Sequence, residues 1–448
     1  VIKRTARWLD DRLHGSHFAR DALNKVFPDH WSFMFGEIAL YAFVILVLTG
    51  TYLALFFHPS TQAVVYHGAY GPLNGATVSD AYASTLRLSF DVRAGLVIRQ
   101  IHHWAAFVFI GAIVVHLCRV FFTGAFRRPR EINWIIGVLL LIMGIFNGFT
   151  GYSLPDDLLS GTGLRIAYSI ALSVPFVGTW IAFLIFGGEF PSNEILGRLF
   201  VSHVYIVPGA IIALISVHMA ILWRQKHTQF PGPGRTETNV VGSKLWPSYA
   251  AKSAGLFFGL FAILAALGGL AQINPVWLYG PFEPSTVTSP AQPDWFLGWV
   301  EGAMRIFPAW EVHVAGHLIP NPFFPAVLMP TVTFGLLLVW PFVEKAFTHD
   351  DLDHQLLDRP RDRPFRTALG TFVLMFYVVL FLAASNDFIA RVFEIPVGMV
   401  TGAFRVLLFV VPTICAWVVY HFMRALATSD ASNMFHVPLR SMRRKAWR

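Results

Sequence analysis

Eight apolar stretches, each long enough to cross about 30 Å of hydrocarbon, set the terms for this sequence. They run over 32–57, 95–122, 132–154, 198–223, 252–274, 323–343, 366–385 and 398–424. Inside a bilayer every backbone polar group must be satisfied by the protein itself, so apolar crossings of this length are helices. Charged residues agree: they make up 13% of the 448 residues, about half of the roughly 25% usual in soluble domains. The sequence predicts an all-α integral membrane protein with eight transmembrane helices, spans one to eight, surrounded by membrane lipid and with no nucleic-acid partner. The only cysteines, Cys118 and Cys415, are far apart, which excludes a Cys-rich zinc or iron–sulfur site.

A ninth apolar segment, Ile170–Gly188, is broken by Pro175, Gly178 and the pair Gly187-Gly188. Basic residues decide how to read it. With eight crossings, the N-terminal segment, the 119–131, 224–252 and 345–366 loops and the tail from Arg424 share one side. Those five hold 26 of the 34 Lys and Arg residues, a bias that marks the cytoplasmic side and puts both termini there. A ninth crossing would move the basic 224–252 loop outside, so 170–188 is expected at the outer surface. The expected division is a cytoplasmic segment 1–31, a four-helix bundle 32–223, a second four-helix region 224–427 with a long outer loop, and a basic cytoplasmic tail 428–448. The acidic run Asp350, Asp351, Asp353 reads as a solvated loop rather than a metal site.

Spacing singles out four of the 17 histidines. At about 100° per residue, the 14 steps from His102 to His116 on span two return within about 40° of the starting face. The 15 steps from His203 to His218 on span four end about 60° past it. Each pair looks inward, its members about 21 Å apart along the axis. Because neighbouring spans run antiparallel, His102 meets His203 near the outside and His116 meets His218 near the inside. Two facing imidazoles suit the two axial positions of a haem iron, whereas zinc wants four ligands at one level. His103 misses the face of His116 by about 140° and reads as a packing or hydrogen-bonding residue.

Glycines repeat the period. Gly36 and Gly50 on span one, and Gly137 and Gly151 on span three, are both 14 apart, giving each level two His and two Gly. A missing Cβ admits a flat macrocycle; packing of the small-xxx-small kind predicts a spacing of four instead. The expectation is two stacked, non-covalent b haems, with no Cys-x-x-Cys-His for attachment. Arg99 and Arg119 lie three residues from the ligand levels and suit haem propionates, and Trp134 could donate its indole N–H there too. A snorkelling interface residue is the alternative reading of Arg119.

These residues resemble those of cytochrome b, the quinol-oxidising subunit of cytochrome bc complexes, along nearly the whole chain. The resemblance extends to Gly151-Tyr152-Ser153-Leu154-Pro155 closing span three, to Val174–Thr179 with Phe186-Gly187-Gly188, and to Pro293-Asp294-Trp295-Phe296 in the long outer loop. The last is similar to the family's Pro-Glu-Trp-Tyr at the quinol site, with a shorter carboxylate and no phenolic hydroxyl. Gln225–Gly234 and Arg359-Pro360-Arg361-Asp362 resemble the actinobacterial branch, which implies menaquinol as substrate and a supercomplex with a terminal oxidase.

The resemblance further implies a Q-cycle in a bacterial cell membrane, with proton translocation. Quinol would bind among Tyr152, Gly163, Pro293, Asp294, Trp295 and Phe296, with Asp294 accepting a proton and Tyr152 assisting. One electron would leave for a Rieske iron–sulfur subunit and on to a cytochrome c or c1-type subunit. The other would pass from the outer, low-potential haem to the inner, high-potential haem and an inner quinone site, in a homodimeric complex. At that inner site the family commonly has His five residues after the last ligand and Lys-Asp at the start of span five. Here those positions read Trp223 and Lys252-Ser253, with His227 a substitute donor. A di-haem dehydrogenase anchor would share the bundle but not need spans five to eight, and a transporter with a His proton relay would need repeat symmetry.

Overall fold

The computed structural model describes residues 2–13, 15–286 and 292–435. Its eight long apolar helices are Trp31–Ala54, Gly95–Phe122, Glu131–Tyr152, Ile195–Gln225, Leu245–Leu270, Phe324–Thr348, Pro364–Ala383 and Val397–Thr428, one for each expected span. The last continues to Phe435, so most of the expected basic tail lies outside the described residues. Before span one, Ile2–Leu13 and Gly15–Asn24 form two short helices that the hydropathy pattern did not mark.

Spans one and three flank span two, span four lies along span three, and span five closes against one and two. Span six leans on span three, while seven and eight pair with each other. The shared core is built from small and branched side chains such as Ala42, Ile45, Ala105, Ile110, Ile211 and Leu264. On the opposite faces Leu48, Ile263, Leu336 and Phe409 are more than half exposed, as helices meeting lipid tails require.

Hydrogen bonds sort the loops into two rims. On one rim Val26–Phe27 pairs with Ser243–Lys244, Gln229 bridges to Leu356, and Arg128 reaches Asp353 at 3.0 Å. The acidic run there is paired rather than free: Lys345 holds Asp351 at 2.6 Å and His354 lies 2.9 Å from Asp350. No group of three or more potential metal ligands occurs among the described residues. On the other rim Tyr82 donates to Val276 O, Asp157 bridges to Pro281, and Thr61 donates to Asn193 Oδ1 at 3.3 Å. Asp157 precedes the segment 170–188 and Asn193 follows it, and both sit on this second rim. The segment therefore does not cross. It forms the end of the helix Leu158–Leu172, a turn, and the helix Gly178–Phe186. A Cβ on Gly178 would lie 2.4 Å from Leu172 O, which is why glycine stands at that return.

Span four is not a uniform α-helix. Ser202–Ile206 is a π-turn in which Val207 N–H donates to Ser202 O. A π-turn accommodates one extra residue, so the 15 steps from His203 to His218 advance like 14. The apparent 60° overshoot becomes about the same 40° offset as on span two.

Candidate functional site

The outer histidines face each other, with His102 and His203 ring centres 6.2 Å apart and the rings 73° from coplanar. A metal–imidazole bond is about 2 Å, and a ring nitrogen sits roughly 1 Å from its ring centre. A metal between two imidazoles thus sets their centres about 6 Å apart. The remaining nitrogens fix the tautomers. Thr49 donates its hydroxyl to Ile45 O at 2.6 Å and is left to accept from His102 Nδ1 at 2.9 Å. His203 Nδ1 donates to Asn147 O at 2.9 Å. With both Nδ1 atoms carrying protons, both Nε2 lone pairs are free for iron, the usual arrangement of ligating histidines.

Each glycine lies against its own histidine. A Cβ on Gly151 would come 2.3 Å from His203 Cε1, on Gly50 3.0 Å from His102, on Gly36 3.2 Å from His116, and on Gly137 3.8 Å from His218. Each of the four glycines thus lies beside one of the four histidines, and the clearance it leaves is taken by an imidazole ring. At the inner level His116 Nδ1 is buried without a hydrogen-bond partner among the described residues.

Arg119 lies over the Phe33 ring at 4.2 Å, and its Nε and Nη2 are buried without partners among the described residues. It does not snorkel outward. Arg99 gives both terminal nitrogens to Asn274 O at 3.4 Å and keeps a buried Nε with no partner among the described residues. Unsatisfied guanidinium donors at both levels suit the two carboxylates that a haem carries. Trp134 departs from expectation, because its indole N–H donates to Leu337 O at 2.6 Å. Pro341, four residues on, has no N–H to offer that carbonyl, and the indole takes its place. Pro341 was the readable signal.

One cavity of about 410 Å³ joins the outer pair to the loop motif, its wall including His102, His203, Tyr152, Asp157, Asp294 and Phe296. Span two organises the loop. Gln100, fully buried, exchanges two hydrogen bonds with the backbone of Ile273, and Trp104 donates to Ala271 O. Asn274 is thereby placed to donate to Asp294 Oδ1 at 2.9 Å, while His103 Nε2 lies 2.8 Å from Oδ2. Asp294 is 6% exposed, a buried carboxylate held at both oxygens. Phe296 fills the notch left by Gly148, where a Cβ would meet its ring at 2.5 Å, and Tyr152 places its hydroxyl over Gly163. Pro293 leads the motif in, and the Trp295 ring packs at Gly111.

The buried Asp157 caps the helix Leu158–Leu172 by accepting from Ser160 N–H at 2.7 Å. Burial raises its pKa to about 6, against the lowering effect of the Ser160 bonds and of Arg99. Sequence reading missed Asp157, Asn274, Gln100 and Thr49.

Among the inner candidates, Trp223 shares Phe27 with His227 and with Tyr249, its ring centre 6.2 Å from that of Phe27. Lys25 lies over the Trp223 ring at 4.1 Å, His227 packs on Phe27 at 4.8 Å, and Lys252 turns to Asp29 at 2.7 Å. Only Ser253 enters a polar cluster with span one, donating to Glu37 at 2.7 Å.

Residues 107–281 match the family described as cytochrome b (N-terminal)/b6/petB. The chain is 52% identical over 437 residues to the cytochrome bc1 complex cytochrome b subunit of Mycobacterium leprae, covering 97% of this chain and 79% of that one. It is 48% identical over 435 residues to the subunit of the same name from Streptomyces coelicolor, covering 97% and 80%. A solved structure described as a hyperthermophilic respiratory Complex III shares the fold with a TM-score of 0.68 at 21% identity, covering 93% of this chain and 99% of that one.

Proposed function

The chain belongs to the cytochrome b subunits of cytochrome bc1 complexes, multi-pass membrane proteins of the cytochrome b family, and from that premise we propose that it oxidises menaquinol at an outer site and feeds an inner quinone-reduction site. Two b haems, held by His102 with His203 and by His116 with His218, supply one-electron transfer between the two sites when bound. The observation that carries the reading is the single cavity shared by the outer histidine pair and Asp294. Electron and proton can leave one substrate there in different directions.

The residues divide the work. Thr49 and Asn147 hold the outer imidazoles in the tautomer that ligates iron. Gly36, Gly50, Gly137 and Gly151 leave room for the four rings, and Arg99 and Arg119 present donors to the haem carboxylates. Asp294 accepts a proton from the bound quinol hydroxyl, because a carboxylate oxygen with one donor keeps a free acceptor position. His103 and Asn274 aim that carboxylate, and Tyr152 offers a hydroxyl on the same wall. Phe296 excludes water as a core anchor. The second electron acceptor is a Rieske iron–sulfur subunit, with a cytochrome c or c1-type subunit beyond it. The complex is a homodimer in the bacterial cell membrane, joined to a terminal oxidase, with both termini of this chain cytoplasmic and the Q-cycle coupled to proton translocation.

The bundle 32–223 carries the haems and 224–427 the quinol loop. Acid–acetone extraction with a haem count tests the core of this reading. Two extractable haems per chain are expected, and one haem, or pigment retained on the polypeptide, would refute it. The redox difference spectrum of the His102→Ala variant should lack the outer component alone.

A further inference from the structure

Glu37 follows directly on the glycine that lies against His116, so it stands at the inner level of span one. Three hydroxyls converge on its carboxylate. Ser253 donates to Oε2 at 2.7 Å, Tyr249 donates to Oε1, and the Tyr41 hydroxyl lies 3.4 Å from Oε2 with its proton directed to Ser253 Oγ. All four side chains are half-buried, two from span one and two from the start of span five. A carboxylate inside a membrane helix is costly and marks a functional position. This one is held by hydroxyls, while neighbouring Lys252 is engaged by Asp29.

The other inner acid–base candidate is weaker. His227 is buried against Phe27, and burial, with Lys25, Arg119 and Arg130 nearby, holds its pKa down to about 4. At neutral pH it is uncharged and a poor acid.

We propose that Glu37, hydrogen-bonded by Tyr249 and Ser253, is the proton donor to a para-quinone reduced on the inner side of the protein. The inference rests on the inner-site reading given under the proposed function. A quinone gains two electrons, arriving singly from the inner haem level, and two protons, one on each carbonyl oxygen, and leaves as quinol. Glu37 protonates one of those oxygens and is reprotonated from water, and the other oxygen takes its proton from water directly. Span one thus supplies the carboxylate that position 253 of span five lacks.

The test follows oxidation of the reduced inner haem by a short-chain naphthoquinone in the intact complex, read by absorbance. Glu37→Gln should keep both haems in the redox difference spectrum, leave naphthoquinone binding near normal, and slow this step by about 10²-fold, as for loss of a positioned acid. The double variant Glu37→Gln/Ser253→Asp, which returns a carboxylate to the cluster from the other helix, should recover most of that loss. An unchanged rate in Glu37→Gln, or no recovery in the double variant, overturns the proposal. If the Gln variant fails to assemble, Tyr249→Phe decides, a several-fold slowing supporting the proposal and an unchanged rate overturning it. Absence of any oxidation by naphthoquinone in the unaltered complex would instead overturn the inner-site reading itself.

Discussion

His103 Nε2 and Asp294 Oδ2 lie 2.8 Å apart, although 191 residues separate them in the chain. The contact ties the residue beside His102, the proposed outer haem ligand, to the carboxylate of the proposed quinol loop. It gives His103 a purpose that does not involve iron. His103→Ala should keep both haems and slow quinol oxidation about tenfold, because Asp294 then loses one of its two positioning partners. Asp294→Asn should keep both haems and slow it by roughly 10² or more, while Asp294→Glu retains substantial activity. Steady-state quinol oxidation and difference spectra check all three; near-normal turnover in the Asn variant would remove Asp294 from the mechanism.

The four glycines should not respond equally to alanine. Gly151 leaves 2.3 Å between a new Cβ and His203, Gly50 and Gly36 leave 3.0 and 3.2 Å, and Gly137 leaves an ordinary 3.8 Å. Gly151→Ala should disturb or abolish the outer haem spectrum, Gly50→Ala and Gly36→Ala should shift their respective haem potentials, and Gly137→Ala should be nearly silent. Equal effects across the series would point away from imidazole clearance.

Trp134 and Pro341 form a testable pair. Trp134→Phe leaves the carbonyl of Leu337 without a donor and should cost about 1–3 kcal/mol, with little change in the inner haem potential. In a Pro341→Ala background the helix supplies its own N–H to Leu337 O, and the cost of Trp134→Phe should fall. Thermal denaturation of the four proteins measures the coupling. A large potential shift in Trp134→Phe alone would restore a haem-contacting role.

Asp157 makes the outer rim sensitive to pH. Its pKa rises from the ordinary 3.8 to about 6 on folding, so the folded state favours the protonated acid. Its stabilising contribution is fully present below about pH 4 and is lost as pH rises through 6, a span worth on the order of 3 kcal/mol. Asp157→Asn keeps a side-chain acceptor for the helix cap but removes the titration. The variant should therefore gain thermal stability over the parent at pH 7.5 and lose that advantage near pH 4. Parallel melting curves for the two proteins across this range would reveal a group that stays ionised throughout.

The eight spans were legible because hydropathy over about 20 residues is nearly independent of tertiary context. The histidine and glycine periods were legible because a helix turns its side chains by a fixed angle. Asp294 could be found only through the resemblance of Pro293–Phe296 to a family motif, since nothing local separates it from a surface aspartate. What stayed hidden depends on contacts between distant segments. The tie from Trp134 to Leu337, the lodging of Phe296 at Gly148, and the hydroxyls around Glu37 each need two spans to be in place. The π-turn hid for a different reason: a 3.6-residue ruler laid along span four has no mark for it.

That turn also bears on how such a chain tolerates change. Removing one residue from a regular membrane helix rotates everything beyond it by about 100°, turning buried faces to lipid. Between Ser202 and Val207 the surplus residue is already held as a local bulge. A one-residue deletion there would close the bulge into ordinary helix and leave the two imidazoles of span four where they stand. The length of this crossing can therefore drift by one without His203 and His218 leaving the face they share.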